Sequence, residues 1–227
     1  MESERGWYAG RMSSRVAVAG FVLTGGESRR MGQDKALLEL GGQPLAMRMV
    51  EKLRIGTDEI FLLGPPERYA QLGLPVLADA VAGRGPVGGI AAALRATERD
   101  WNLIVACDLP YLEPRFLEFL LGLATNETDA VVPRPGGRWE PLCAAYHRRA
   151  LPAFERVLAG EDYRVARALE ALRVRAVEEE ELGKFAFSGR MFKNMNSPEE
   201  YEEAREMLGA EEGEEADVKT HGQKPVG

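Results

Sequence analysis

The sequence predicts an α/β fold in which a mostly parallel sheet lies between layers of helices. Through the first half of the chain, short apolar runs alternate with segments of helical periodicity, which is the pattern of strand–helix–strand units. Residues 16–23, 60–63 and 101–106 form apolar runs without polar alternation, as strands buried on both faces do. Because ligands bind outside the carboxyl ends of such strands, the segments that follow these runs are candidates for a site.

The elements of the first half follow from periodicity and turn residues. Residues 16–23 form the first predicted strand, and a Gly41-Gly42 turn then precedes a helix that opens near Pro44, a residue favoured at the first helical position. Leu45, Met49 and Leu53 recur at helical spacing. The remaining elements predicted in this half are strands at 60–63, 75–77 and 101–106, a helix at 67–72, and a glycine-rich loop at 83–89 that opens another helix.

The second half alternates differently. Helices are predicted at 114–123, 148–158, 163–172 and 198–208, with strands at 129–133 and 174–177 and an antiparallel return at 140–146, so the predicted sheet is mixed. The acidic run 178–181 is expected to be a solvated turn. Ser197 with Glu200 three residues later forms a capping box before the last helix, and Pro198 follows at its first position.

Composition limits the classes of protein. The chain has 227 residues, 45% of them hydrophobic and 29% charged, which suits a soluble protein with one sizeable core. We therefore expect a disordered N-terminal extension at 1–14, a single domain at 15–208 and a disordered acidic tail at 209–227, with translation starting at Met1 or Met12. The net charge of −7 argues against a nucleic-acid partner, and no apolar stretch has the length of a membrane span. Two cysteines and the absence of a secretory signal indicate a reducing, cytoplasmic location.

The segment 21–35 carries the strongest local signal. An apolar strand ends at Gly25-Gly26, where backbone N–H groups can surround an anion, and the cations Arg29, Arg30 and Lys35 follow. Glycine donors and converging cations suit a polyphosphate. The segment has neither the Walker A pattern nor the dinucleotide fingerprint, and from these residues alone a glycine turn before a solvated cationic loop is an equal alternative.

The full pattern Leu-x-Gly-Gly-x-Ser-x-Arg-Met-Gly-x-Asp-Lys, from Leu23 to Lys35, resembles the signature loop of sugar-nucleotide-type nucleotidyltransferases. Its Met-Gly-x-Asp-Lys ending most resembles the molybdenum cofactor guanylyltransferases, and the resemblance extends over residues 16–208. It implies a Rossmann-like three-layer α/β/α nucleotidyltransferase fold. It also implies an Mg²⁺-dependent enzyme that transfers GMP from GTP to the terminal phosphate of molybdopterin and releases pyrophosphate.

Asp108 is the candidate metal ligand. It follows the predicted strand 101–106 within Cys107-Asp108-Leu109-Pro110, and Cys-Asp-x-Pro is similar to the metal motif of that family. Mg²⁺ prefers one or two carboxylates together with substrate phosphates and water. The alternative is that Asp108 caps the helix after Pro110.

Further roles come from the resemblance. Arg29 and Lys35 are expected to act in catalysis with Asp108, because cations stabilise the charge that develops on phosphoryl oxygens. Asp79 is expected to contact the guanine base, or else to form a local turn. The full set of expected GTP-binding residues is Leu23, Thr24, Gly25, Gly26, Lys35, Asp79 and Asp108.

The later motifs resemble the acceptor side of the family. Asn194 and Asn196 are expected near the acceptor, where Asn196 donates to it or supports the metal, and residues 140–143 resemble another motif near the pterin substrate. One departure stands out: where the family commonly has a polar residue after the second strand, this chain has Leu63-Gly64-Pro65. Recognition of base or ribose there must use backbone or another residue.

Two other functions compete with this interpretation. One is a cytidylyltransferase that acts on molybdopterin or another small phosphorylated acceptor, and the other is a nucleotide-binding regulatory module without turnover. The expected partners are GTP and molybdopterin as substrates, together with other proteins of cofactor biosynthesis.

Overall fold

The computed structural model of the protein describes residues 17–24, 34–78 and 84–208. Residues 25–33 of the glycine-rich loop, Asp79, the predicted N-terminal extension and the predicted acidic tail lie outside the described residues. The two disordered ends and the domain boundaries therefore stay predictions.

Seven strands form one mixed sheet. They are β1 (Val18–Leu23), β4 (Glu59–Leu63), β5 (Val76–Leu77), β6 (Trp101–Ala106), β7 (Ala130–Arg134), β8 (Cys143–His147) and β9 (Val174–Glu178). Their order across the sheet is β5-β4-β1-β6-β8-β7-β9. Neighbouring strands run parallel except in the two pairs that contain β8, which is the predicted antiparallel return. A separate hairpin pairs β2 (Glu39–Leu40) with β3 (Gln43–Pro44).

Helices cover both faces of the sheet. They are α1 (Leu45–Leu53), α2 (Pro66–Tyr69), α3 (Gly85–Ala96), α4 (Pro114–Gly122), α5 (Leu151–Leu158), α6 (Val165–Leu169), α7 (Glu179–Lys184) and α8 (residues 198–208). One core cluster contains Met49 of α1 and Phe116 of α4, and the other contains Ile90 of α3 and Phe154 of α5. This confirms the predicted three-layer α/β/α arrangement.

The two central strands are almost entirely apolar in sequence because of their place in the sheet; the buried Asn102 of β6 is the exception, and its amide donates to Tyr146 O at 3.3 Å. All residues of β1 and β6 are buried, and the strands pair in register from Val18↔Trp101 to Leu23↔Ala106. A strand at the centre of a sheet that is covered by helices on both faces has no solvent-facing position for polar residues. Both strands therefore end at the same edge of the sheet, next to each other.

None of the helices in the described ranges is long and apolar enough to cross a membrane.

The predicted loop 83–89 is largely helical. Helix α3 already begins at Gly85, which has φ +59°, and Pro86 lies in its first turn. A Cβ on Gly89 would lie 2.8 Å from Leu23 Cδ2, so glycine lets α3 approach the end of β1 closely. The glycines here serve helix–strand packing, in addition to any contact with a ligand.

The acidic run 178–181 is not a turn, and that expectation is wrong. Glu179–Glu181 form the first turn of α7, where the partial positive charge of a helix N-terminus favours carboxylates. Arg175 Nη2 lies 2.6 Å from Glu181 Oε1, and Leu182 packs into the core. Two smaller differences concern helix ends: α1 begins one residue after Pro44, and α6 is shorter than the predicted 163–172.

Candidate active site

A cleft of about 250 Å³ opens at the carboxyl edge of the sheet, where β1 and β6 end. It is lined by Leu23, Thr24, Lys35, Pro86, Ala106, Cys107, Asp108, Leu109, Asn194 and residues 138–142. The lining therefore brings together segments that are far apart in sequence. It includes the expected site residues Leu23, Thr24, Lys35, Asp108 and Asn194, together with residues 140–142 of the motif that resembles one near the pterin substrate.

Lys35 connects two of the other predicted residues. Its Nζ atom donates hydrogen bonds to Asp108 Oδ2 at 3.1 Å and to Asn196 Oδ1 at 2.9 Å. The side chains of Lys35 and Asp108 are only 13% and 19% exposed, so the pair is shielded from water more than a surface ion pair is. A cation, a carboxylate and an amide oxygen thus converge at one end of the cleft.

Asp108 owes its position to strand β6 and to the loop that follows. The backbone N–H of Cys107 donates to Leu23 O at 3.1 Å, which continues the ladder between the two central strands. Beyond Asp108, Lys52 of α1 donates to the carbonyls of Pro110 and Leu112 at 2.7 and 2.6 Å. The next helix, α4, begins only at Pro114, so the alternative that Asp108 caps it is wrong.

Asn196 is held by the capping box that the sequence predicts. Glu200 N donates to Ser197 Oγ at 3.3 Å, and Glu200 Oε2 accepts hydrogen bonds from the backbone N–H groups of Ser197 and Asn196 at 3.1 and 2.6 Å. Met195 N also donates to Asp108 O at 3.0 Å. The start of α8 is therefore fixed to the loop after β6, which places the Asn196 amide beside Lys35.

Lys35 is positioned through the preceding residue. Asp34 caps the short 3₁₀ helix Lys35–Leu37 by accepting a hydrogen bond from Ala36 N, and the hydroxyl of Tyr69 donates to Asp34 Oδ2 at 2.8 Å. Burial, and secondarily this hydrogen bond, raises the pKa of Tyr69 well above its usual value, so the hydroxyl stays a donor. Tyr69 is not among the residues predicted for the site, because no pattern in the sequence indicates that α2 packs against Asp34.

Gly64 explains the departure from the family pattern after the second strand. A Cβ at this position would lie 2.4 Å from Thr24 Oγ1 and 2.6 Å from Tyr69 Cε2. The Thr24 hydroxyl is itself held by Leu63 O at 2.7 Å, and Tyr69 is 1% exposed. The corner is therefore filled by the threonine and the tyrosine ring, and no larger residue fits at 64 without a shift of one of them.

We expect Gly64→Ala to lower the melting temperature by roughly 2 to 10 °C, because overpacking against two fixed side chains costs about 1–3 kcal/mol. Gly183→Ala is the matched control, since the space around that helical glycine is open within 4 Å. Thermal unfolding followed by circular dichroism measures both variants. An unchanged melting temperature for Gly64→Ala would show that the side chains of Thr24 and Tyr69 move aside at little cost.

The two cysteines near the cleft are not nucleophiles. Both are free and buried, and burial raises the pKa of Cys107 to about 12 and the pKa of Cys143 further still. The thiols stay protonated at neutral pH, and Cys143 is a small residue of the hydrophobic core. Glu140 lies in the wall of the cleft. Burial raises its pKa, and nearby Arg138 offsets part of that increase.

Leu23 and Thr24 line the floor of the cleft, but their backbone is used inside the fold. Leu23 O accepts from Cys107 N, Thr24 N donates to Leu63 O at 3.0 Å, and Thr24 O lies 3.2 Å from the Tyr69 hydroxyl. Gly25, Gly26, Arg29 and Asp79 lie outside the described residues. Their expected roles stay predictions.

The fold and the site together define the class of protein. A mostly parallel sheet between helices, with a lysine, an aspartate and an asparagine meeting at its carboxyl edge, defines an α/β nucleotidyltransferase. Residues 20–179 match the family model of the MobA-like NTP transferase domain, and the chain belongs to that family.

Named relatives cover nearly the same span. A probable molybdenum cofactor guanylyltransferase of Pelotomaculum thermopropionicum is 36% identical over 193 residues, which cover 85% of this chain and 94% of the relative. One of Natronomonas pharaonis is 34% identical, with 83% and 97% covered. The crystal structure of molybdopterin-guanine dinucleotide biosynthesis protein A from Archaeoglobus fulgidus superposes with a TM-score of 0.73 at 28% identity, with 85% and 99% covered.

Proposed function

We propose that the protein transfers GMP from GTP to the terminal phosphate of molybdopterin and releases pyrophosphate. The names of the relatives at 33–36% identity support the reaction. The observation that carries the proposal is the convergence of Lys35, Asp108 and Asn196 at the cleft, because these groups have the chemistry that phosphoryl transfer needs. With two buried, protonated thiols and soluble substrates, we place the reaction in the cytoplasm.

The proposed mechanism is a direct displacement. An oxygen of the acceptor phosphate attacks the α-phosphorus in line with the bond to the departing pyrophosphate. Negative charge spreads over the phosphoryl oxygens, and the Lys35 ammonium lines the cleft, where it can meet that charge. Before a metal binds, the amide oxygen of Asn196 holds the ammonium at the cleft. No side chain becomes bonded to phosphorus in this scheme, which agrees with the buried, protonated thiol of Cys107.

The residues present fit an Mg²⁺ ion that is completed by the nucleotide. Asp108 Oδ2 and Asn196 Oδ1 both lie within 3.1 Å of one ammonium nitrogen, so two oxygen ligands already converge on a cationic centre. The described residues contain no group of three or more metal-ligating side chains, and a Mg²⁺ ion bound mainly by phosphates and water requires none. When bound, Mg²⁺ neutralises phosphate charge in the transition state.

The other assignments extend the same proposal. Arg29 would add a second cation for the departing pyrophosphate, and Gly25 and Gly26 would supply backbone N–H donors to phosphates. Asp79, expected after β5, would select guanine by accepting from its adjacent N–H groups. Other proteins of cofactor biosynthesis would deliver molybdopterin or receive the product.

A nucleotide panel tests the proposal. Calorimetric titrations with GTP, CTP, ATP and UTP in the presence of Mg²⁺ should show tight binding of GTP, and adding molybdopterin should then release pyrophosphate. Binding of CTP in place of GTP would instead indicate a cytidylyltransferase. GTP binding without pyrophosphate release on any phosphorylated acceptor would indicate a regulatory module.

A further inference from the structure

Tyr69 of α2 lies behind the candidate site and contacts two of its segments. The residue is 1% exposed. Its hydroxyl oxygen lies 2.8 and 3.0 Å from the two carboxylate oxygens of Asp34 and 3.2 Å from the carbonyl oxygen of Thr24. Thr24 follows β1, and Asp34 precedes Lys35. One buried hydroxyl therefore connects the end of a central strand to the residue before the lysine of the site.

The Thr24 end of this connection is fixed by the sheet. Thr24 N and Thr24 Oγ1 both donate to Leu63 O, at 3.0 and 2.7 Å, which continues the pairing of β1 with β4. The Tyr69 ring packs directly against the backbone of Gly64, where a Cβ would lie only 2.6 Å from Tyr69 Cε2. Loss of the hydroxyl would leave Thr24 and the ring in place, so an effect of the hydroxyl on the site passes through Asp34.

The Asp34 carboxylate depends on this hydroxyl. Its side chain is 20% exposed, and it also accepts a hydrogen bond from Ala36 N at 3.1 Å. Arg68 Nη1 lies 3.6 Å from Asp34 Oδ2, beyond hydrogen-bond distance, and the Arg68 side chain is 62% exposed. Among the described residues, Tyr69 is therefore the side chain that donates a hydrogen bond to this carboxylate. Hydrogen bonds to ionised groups are the strong ones, and losing this one leaves a partly buried charge without its donor.

Asp34 in turn sets the backbone that carries Lys35. Its carboxylate caps the 3₁₀ helix Lys35–Leu37, and Leu37 N donates to Asp34 O at 3.0 Å. Of the described residues, those that line the cleft include Lys35 but not Asp34, so the carboxylate faces α2 and not the substrates. Because a displacement of about 1 Å at an active site can cost about a hundredfold in rate, turnover should be sensitive to this cap.

We propose that Tyr69 is a positioning residue for Lys35. Its hydroxyl transmits the fixed position of Thr24 to the Asp34 carboxylate, and that carboxylate sets the direction from which the Lys35 ammonium enters the cleft. Without the hydroxyl, the carboxylate turns towards Arg68 or water, and the cap of the 3₁₀ helix weakens. This inference rests on the proposed function for GTP as the ligand of Lys35, and it adds a residue that contacts neither substrate.

Tyr69→Phe tests the hydroxyl while keeping the packing of the ring. We expect the Kd for GTP, measured by calorimetry with Mg²⁺, to rise about threefold to thirtyfold, because Lys35 keeps only part of its charge-assisted contact with phosphate. The kcat for pyrophosphate release should fall about tenfold to a hundredfold, while the KM for molybdopterin changes by less than about twofold. Thr57→Val is the matched control, since it removes a buried hydroxyl that donates to Leu53 O at 2.9 Å, at the amino edge of the sheet. It should lower the melting temperature and leave all three constants unchanged.

A double-mutant cycle with Lys35→Met separates positioning from a general loss of structure. If Tyr69 acts through Lys35, Tyr69→Phe should change the Kd for GTP by less than about twofold in the Lys35→Met background, because the group that it positions is gone. A merely structural tyrosine would weaken GTP binding by the same factor in both backgrounds, and that result overturns the inference.

Acetylation of Lys35 supplies a readout that needs no substrate. The protein is treated with limiting acetic anhydride, and mass spectrometry compares Lys35 with the exposed Lys184 of α7 in the same sample. The Lys35 side chain is 13% exposed, and Tyr69→Phe should raise its acetylation at least about twofold relative to Lys184 as the cap opens. Unchanged acetylation overturns the inference, and pyrophosphate release by the wild type then still supports the transferase. Raised acetylation, in a protein whose wild type neither binds GTP nor releases pyrophosphate, supports the positioning role and refutes the transferase.

Discussion

We expect Asp108→Asn to lower turnover by about a hundredfold to a thousandfold while GTP binding without metal changes little. The amide keeps the size of the side chain and one acceptor oxygen for Lys35, whose Nζ lies 3.1 Å from Asp108 Oδ2. It removes the negative charge that Mg²⁺ needs in a site where Asn196 supplies a neutral oxygen. The magnitude corresponds to the loss of comparable electrostatic stabilisation at other active sites. Pyrophosphate release with molybdopterin and GTP, across a titration of Mg²⁺, measures the effect.

Asp100→Asn is the matched control for this change. Asp100 precedes the same strand at its opposite end, and its side chain is 64% exposed, so the substitution alters net charge equally without touching the cleft. Its rate and its dependence on Mg²⁺ should match those of the wild type. If Asp108→Asn turns over at a near-native rate with an unshifted Mg²⁺ midpoint, the metal binds elsewhere.

The sheet could be predicted because its central strands are signalled locally. The run 101–106 matches β6 residue for residue, since five of its six residues are apolar, as in a strand buried on both faces, and Asp100 and Cys107-Asp108 bound it. The acidic run before Leu182 was wrongly predicted to be a solvated turn, because its conformation depends on tertiary contacts. Only the pairing of Glu181 with Arg175, together with the burial of Leu182, makes those glutamates the first turn of a helix.

The candidate site could be predicted in part because some of its residues lie in motifs that are recognisable locally. Lys35, Asp108 and Asn196 belong to short motifs, and strand ends bring motifs to one edge of a sheet. Tyr69, which holds Asp34, and Lys52, which holds the loop after Asp108, act across helix–loop contacts that leave no mark in the sequence. Residues 140–142 were expected near the site from the resemblance alone; they meet the cleft because β8 is antiparallel, and the sequence predicted that return without indicating which strand it joins.

We expect Lys35→Met to weaken GTP binding about tenfold to a hundredfold, as the loss of a charge-assisted hydrogen bond does. The thioether keeps most of the stem, so little packing is lost from a side chain that is 13% exposed. The same substitution should strengthen Mg²⁺ binding in the absence of nucleotide, because Asp108 and Asn196 no longer share their oxygens with an ammonium. Calorimetry with GTP and, separately, with Mg²⁺ alone measures these opposite changes.

The opposite changes in GTP affinity and Mg²⁺ affinity distinguish a phosphate-binding lysine from a merely structural one. If Lys35 were merely structural, its replacement would distort the cleft and weaken the binding of GTP and of Mg²⁺ together. We instead expect Lys35→Met to weaken GTP binding and to strengthen Mg²⁺ binding. Lys184→Met, at the exposed end of α7, controls for the loss of one positive charge and should change neither affinity. The double variant Lys35→Met/Asp108→Asn leaves no uncompensated carboxylate, so it should regain thermal stability relative to Lys35→Met while losing the strengthened Mg²⁺ binding. If Mg²⁺ binds Lys35→Met more weakly than it binds the wild type, the ammonium does not occupy the place of the metal and Lys35 instead organises the metal site.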